Sequence, residues 1–153
     1  MMNVMKKIRK RRRHEKRRGA ALVEAAVTLP ILLLLVMGIV EFGRAMMVVQ
    51  LLTNGAREGA RRGTLDGSTN TIVETHVKSI LASSIGCSEA DLGVTITLTP
   101  DPANNTTGNE VAAAEPGDLV NVEVSVPYDK VAYIAGSFLN GKALRARNTM
   151  RHE

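Results

Sequence analysis

The chain has 153 residues, room for one modest domain, and its 20 lysines and arginines against 15 acids give a net charge of +5. Residues 1–19 hold ten of those bases and one acid, Glu15, so this tail carries +9 while the rest of the chain carries −4. An acidic folded part excludes a basic nucleic-acid-binding domain, and a single cysteine, Cys87, excludes both an intramolecular disulfide and a zinc site of several thiolates. His14, His76 and His152 lie far apart and show no metal-ligand spacing. Four aromatic residues, with no Trp, leave few platforms for stacking bases or sugars.

The basic tail is followed by AALVEAAVTLPILLLLVMGIV, residues 20–40, whose only charge is Glu24. As a helix this run spans roughly 31 Å, about the hydrocarbon thickness of a bilayer. Pro30 would break an exposed soluble helix but is tolerated within a membrane. The bases ahead of the run predict that the tail stays cytoplasmic and the residues after about 41 lie on the far side. Ordinary signal-peptide removal fits less well, because Val40-Glu41-Phe42-Gly43-Arg44 offers no small-x-small cleavage site. Gly19 lacks a side chain, which lets a protease approach the bond to Ala20 closely; as a plain turn between tail and helix it would carry no such role. Glu24 is costly in an apolar helix unless paired, which makes it a functional candidate; as a plain interfacial residue it would reach lipid headgroups or be protonated.

Arg17-Arg18-Gly19 followed by Ala20-Ala21-Leu22-Val23-Glu24 resembles the cleavage region of type IV prepilins. The continuation from Val23 to Arg44, with V-E-A, an L-P step, a leucine run and a closing E-F-G, is similar to the TadE-like pseudopilin family of tight-adherence (Flp) pili. Ala56-Arg57-Glu58-Gly59-Ala60-Arg61 resembles that family's A-R-E-G-A-R stretch, so the likeness is close over about residues 17–63. The leader is longer and more basic than many in the family, and Ala25 stands where an aromatic is common. The resemblance implies cutting after Gly19 by a prepilin peptidase. A free amine on Ala20 would then sit one turn from Glu24, and the two would neutralise within one subunit or between neighbours. It also implies other pilus or pseudopilin subunits, an inner-membrane assembly platform and the lipid bilayer as partners, with the chain in a bacterial inner membrane.

The helical pattern continues through Met46, Met47, Val49, Leu51 and Leu52 to about Gly63. Gly55, Gly59 and Gly63 recur every four residues, and three glycines at about 1 kcal/mol each predict a close backbone approach on that stripe. The head of the same chain is the expected neighbour, with a second helix the alternative. The chain thus divides into a leader, 1–19, a long helix, 20–63, and an extracytoplasmic head, 64–153.

In the head, Gly67-Ser68-Thr69-Asn70 reads as a linker. Thr71 and Glu74 have capping-box spacing, predicting a helix over about 71–85 that Gly86 ends. The period then changes to two: Val94, Ile96 and Leu98, then Val120 to Val126, then Leu144, Ala146 and Met150, alternate with polar residues, Asn148 being a flaw on the last inner face. Pro100–Gly117 is a turn-rich loop, Pro127 should end the middle strand, and residues 129–140 form a short helix or irregular crossover. The fold class is α+β, a long transmembrane helix followed by a small pilin-like head with an antiparallel sheet of three to four strands and one further helix.

No catalytic, cofactor-binding or metal site emerges. Gly136 to Lys142 imitates the start of a phosphate-binding loop, but Ala143 stands where a hydroxyl must hold magnesium. Cys87 has no histidine nearby in sequence. The function expected is pilus assembly by a minor subunit or assembly factor, not catalysis. Two alternatives stay open: an uncleaved membrane anchor carrying a periplasmic domain for another envelope complex, and a secreted domain released by ordinary signal peptidase.

Overall fold

A computed structural model describes residues 2–133, 139 and 141–153, with side chains in the first helix described from Gly19 onward. That helix, α1, runs Met2–Gly63 and passes through Pro30, whose missing N–H leaves the Ala26 carbonyl without its helical donor. One stretch of it, Gly19–Gly63, is long and apolar enough to cross a membrane. The chain divides into two compact units, Met1–Val40 and Glu41–Glu153. The second therefore begins inside α1, and its last six turns are part of the head.

The reason lies in the spacing of apolar residues. Past Val40 the buried apolar side chains of α1 are Ala45, Val48, Leu52, Ala56 and Ala60, at steps of four and three that keep one stripe facing inward. Against it packs α2, Asn70–Ile85, through Val73, Val77, Leu81 and Ile85. Each fully buried Val or Leu on these stripes contributes on the order of 1.5–3 kcal/mol.

The start of α2 differs from the capping box read at Thr71 and Glu74. The cap is Thr69, whose extended backbone leaves its hydroxyl to accept from the Ile72 amide at 3.3 Å. Glu74 instead pairs along the helix with Lys78 at 2.6 Å. The supposed linker is built into this start, with buried Ser68 donating its hydroxyl proton to the Arg62 carbonyl at 2.7 Å. Gly86 ends α2 in the left-handed region at φ 80°, where glycine has no Cβ to clash.

Three antiparallel strands, β1 Gly93–Thr99, β2 Leu119–Pro127 and β3 Ala143–Arg151, form one sheet in the order β1-β2-β3. Val120, Val122, Val124 and Val126 of the central strand are fully buried while their neighbours are half exposed, the alternation of a sheet with one wet face. The fold is α+β. A 3-10 turn at Tyr128–Lys130 follows β2. Most of the phosphate-loop imitation, Gly136 to Phe138 and Asn140, lies outside the described residues, as do 134 and 135; Lys142 leads directly into β3.

The loop between β1 and β2 is more ordered than its turn-rich composition suggests. Asp118 is fully buried. Its Oδ1 accepts from the Asp101 amide at 2.9 Å and Asn104 Nδ2 at 2.6 Å, and its Oδ2 from the Thr106 hydroxyl at 2.6 Å and the Glu115 amide at 2.9 Å. These donors favour the ionised form, with the Thr106 hydroxyl foremost, and outweigh burial, so the carboxyl is held far below the usual carboxylate range.

Candidate functional site

Between Gly19 and Val40, α1 is exposed at every position but Gly38. Leu22 is 71% exposed and Ile31 64%. A soluble protein does not leave a helix of this length bare and apolar on all sides, so this surface belongs against lipid or other helices. Glu24 lies within it, exposed, with no ion-pair partner among the described residues. Ala20 and Glu24 are four residues apart, which puts them on one face about 6 Å apart along the axis. Among the described residues, a Cβ placed on Gly19 meets nothing within 4 Å.

The glycines divide into two groups by what surrounds them. Gly38 and Gly43, like Gly19, have open space where a Cβ would stand. Gly55, Gly59 and Gly63 do not. A Cβ on Gly55 would lie 2.7 Å from Leu81, on Gly59 2.6 Å from Val77 and 3.1 Å from Val122, and on Gly63 2.9 Å from Val120. The stripe is thus filled by α2 and β2 of its own head.

Where the apolar run ends, Glu41 and Arg44 face the head. Arg44 Nη2 donates to the Ile85 carbonyl at 2.8 Å, Nε donates to the Val131 carbonyl at 3.0 Å, and the guanidinium lies 4.6 Å over the Tyr133 ring. One side chain thereby joins α1 to the end of α2 and to the turn after β2. Ile85 is in the last turn of α2, whose free carbonyls attract a cation. The fully buried Tyr128 donates its hydroxyl to the Glu41 carbonyl at 3.1 Å. Burial, and next the neighbouring Glu41, raise the Tyr128 phenol above its ordinary value. Glu41 itself is 4% exposed, and its Oε1 has no hydrogen-bond partner among the described residues.

Glu41 and Arg44 close the TadE-like motif in sequence, and nothing in that motif foretells this junction. The only local signal is an acid and a base three residues apart at the end of an apolar run. Their partners are 41 to 87 residues away, beyond any reading by spacing. Nor does spacing reveal the Asp118 cluster.

No group of acids, histidines and cysteine able to hold a metal occurs among the described residues. Cys87 is half-buried, its thiol raised chiefly by desolvation and then by the charge of Asp91. The surface depression on α2 lined by Thr71, Ile72, Thr75, His76 and Ser79 contains one titratable group, His76, and that faces Glu58 at 3.9 Å.

Residues 19–61 match the family model described as TadE-like protein. The chain carries a TadE-like helix. The TadE-like segment begins at Gly19, directly after the basic stretch, and ends two residues short of the end of α1. It covers both the exposed apolar run and the stripe beneath the head. No curated protein and no solved structure matches the chain. The TadE-like match points to a role connected with Tad pili, and its helix supports a single-pass membrane anchor.

Proposed function

We propose that this protein is a minor pseudopilin or assembly factor of a tight-adherence pilus. It is inserted with its basic leader in the cytoplasm and cut after Gly19 by a prepilin peptidase. Its apolar helix then packs with other pilus subunits and the inner-membrane assembly platform, and its head lies on the extracytoplasmic side. The observation that carries this reading is the TadE-like match over a helix whose residues 20–40 the described residues leave almost wholly uncovered. In this reading the chain is the substrate of an enzyme. Ala20 supplies the new amine, and Glu24 neutralises it within the subunit or in a neighbour.

The test is the mature N-terminus, measured by intact mass and N-terminal peptide sequencing from native membranes, beside Gly19→Val. Because a Cβ at Gly19 meets nothing within 4 Å among the described residues, the substitution disturbs no contact described within the chain and serves as a probe of processing. A start at Ala20 that the substitution abolishes is the expected result. A start at Met1 would leave an uncleaved anchor, and a start beyond residue 40 a secreted domain.

A further inference from the structure

The sheet has two edges, and the chain treats them differently. Along β1 the side chain of Asn109 takes the place of a neighbouring strand. Its Nδ2 donates to the Ile96 carbonyl and its Oδ1 accepts from the Leu98 amide, both at 2.6 Å. Along β3 no such cover is present among the described residues: all nine residues pair with β2 on one side, and nothing pairs on the other. In an antiparallel pair alternate residues turn their N–H and C=O away from the partner, so β3 offers a row of unpaired backbone groups to an incoming strand.

The side chains of β3 state what that strand must carry. On the inner face Leu144, Ala146 and Met150 stand in register with Val126, Val124 and Val120. The valines are fully buried, whereas the three β3 residues are only partly so, leaving apolar surface at the rim of the core. On the outer face Arg145, Arg147 and Arg151 are exposed. Residues 41–153 hold ten bases and thirteen acids, so three arginines on one strand make a cationic row on an acidic domain. Arg145 and Arg151 reach Glu123 at 3.6 Å and Asp101 at 3.2 Å, yet their side chains remain 67% and 66% exposed. Arg147 has no ion-pair partner among the described residues.

A second copy suits neither edge. Pairing β3 with the β3 of another copy, in any antiparallel register that keeps the inner faces together, sets the two arginine rows side by side, and like charges across strands destabilise. The β1 edge of another copy is closed by Asn109. The arginines therefore act against self-association and select the opposite charge.

We propose that β3 is the docking edge for an extended acidic segment of a partner protein, which adds to the sheet as a fourth strand with carboxylates toward Arg145 and Arg147 and apolar side chains beside Leu144, Ala146 and Met150. Main-chain hydrogen bonds supply the affinity, and the alternating side chains supply the choice of partner. This inference rests on the head alone and holds whether or not the leader is cut.

The test uses the full chain in detergent micelles and a capped heptapeptide alternating glutamate and valine, with a lysine-valine peptide as control. Hydrogen exchange is followed by mass spectrometry across residues 143–151 and 93–99. The acidic peptide should slow exchange in 143–151 and leave 93–99 unchanged, and the lysine peptide should do neither. Arg145→Glu with Arg147→Glu should weaken binding by at least about tenfold. Should that double variant lose its cooperative melting transition, Arg147→Gln, which alters one exposed side chain, replaces it and should weaken binding severalfold. No binding at about millimolar peptide, equal binding of both peptides, or binding without protection of 143–151 would each overturn the proposal.

Discussion

A glycine and an aspartate show how single residues are used here. Gly59 lies under Val77 and Val122, two stiff β-branched side chains on buried positions. Adding a methyl there gains about 1 kcal/mol of helix propensity but forces a 2.6 Å contact to open. Overpacking costs about 1–3 kcal/mol, so Gly59→Ala should lower stability on balance. Gly43→Ala, with open space around it, should be neutral or stabilising by up to about 1 kcal/mol. In one detergent the urea midpoint of Gly59→Ala should fall, whereas that of Gly43→Ala should hold or rise.

Asp118 gives the head a pH-dependent share of its stability. Its folded carboxyl is held below the ordinary value of 3.8, so the stability it contributes is fully present above 3.8 and is lost as pH falls below that toward the folded value. Urea midpoints should therefore fall on acidification through and below pH about 4. Asp118→Asn should show a lower midpoint at pH 7 and a shallower fall, because its amide nitrogen cannot accept from the Thr106 hydroxyl and Glu115 amide as well as a carboxylate does. A wild-type and variant difference that stays constant with pH would remove this role.

The extent of α2 was legible at the scale of elements, because Val73, Val77, Leu81 and Ile85 repeat at helical spacing and Gly86 supplies the left-handed end. Its cap, Thr69, lies two residues before the Thr71 that the spacing predicts. Thr69 and Thr71 are both capable caps, and which of them caps depends on where the backbone leaves the extended region, which spacing does not encode. Thr69→Ala should cost about 1 kcal/mol by losing the bond to the Ile72 amide. Thr71→Ala, within the helix, should cost little, and chemical denaturation of the pair checks the reassignment. The strands were legible for the same reason as α2, since period-two alternation marks one buried face. That Asn109 would close the β1 edge was not, because its amide meets residues 11 and 13 positions away through a loop with no regular period.

Over the whole molecule the chain divides into two compact units, Met1–Val40 and Glu41–Glu153. Glu24 belongs to Met1–Val40 and lies outside the unit that begins at Glu41. Glu24→Ala should accordingly leave the melting temperature of the head within about a degree of wild type, as expected of substitutions far from the packed core. If Glu24 serves assembly, the same variant should be cleaved normally yet recovered with far less of its pilus partners from native membranes. Undiminished co-purification would remove Glu24 from that role. Arg44 has the opposite profile, since its two carbonyl acceptors lie within the head unit.

What the amino-acid order determined by itself was everything carried by local periodicity and composition. The +9 tail, the apolar run to Val40, the TadE-like motifs, the second helix and the three alternating strands all follow from patterns within about 20 residues. Tertiary structure alone decided what fills each surface. It put α2 and β2 into the Gly55–Gly63 stripe, joined Arg44 to Ile85 and Val131, and gathered four donors around Asp118. It also closed the β1 edge with Asn109, while among the described residues β3 pairs on one side alone. The reason is physical: a helix or strand announces itself through neighbours in sequence. A hydrogen bond across an irregular loop, as at Asp118 and Asn109, or a close approach between residues dozens of positions apart, has no period to announce it and depends on where folding brings the groups together.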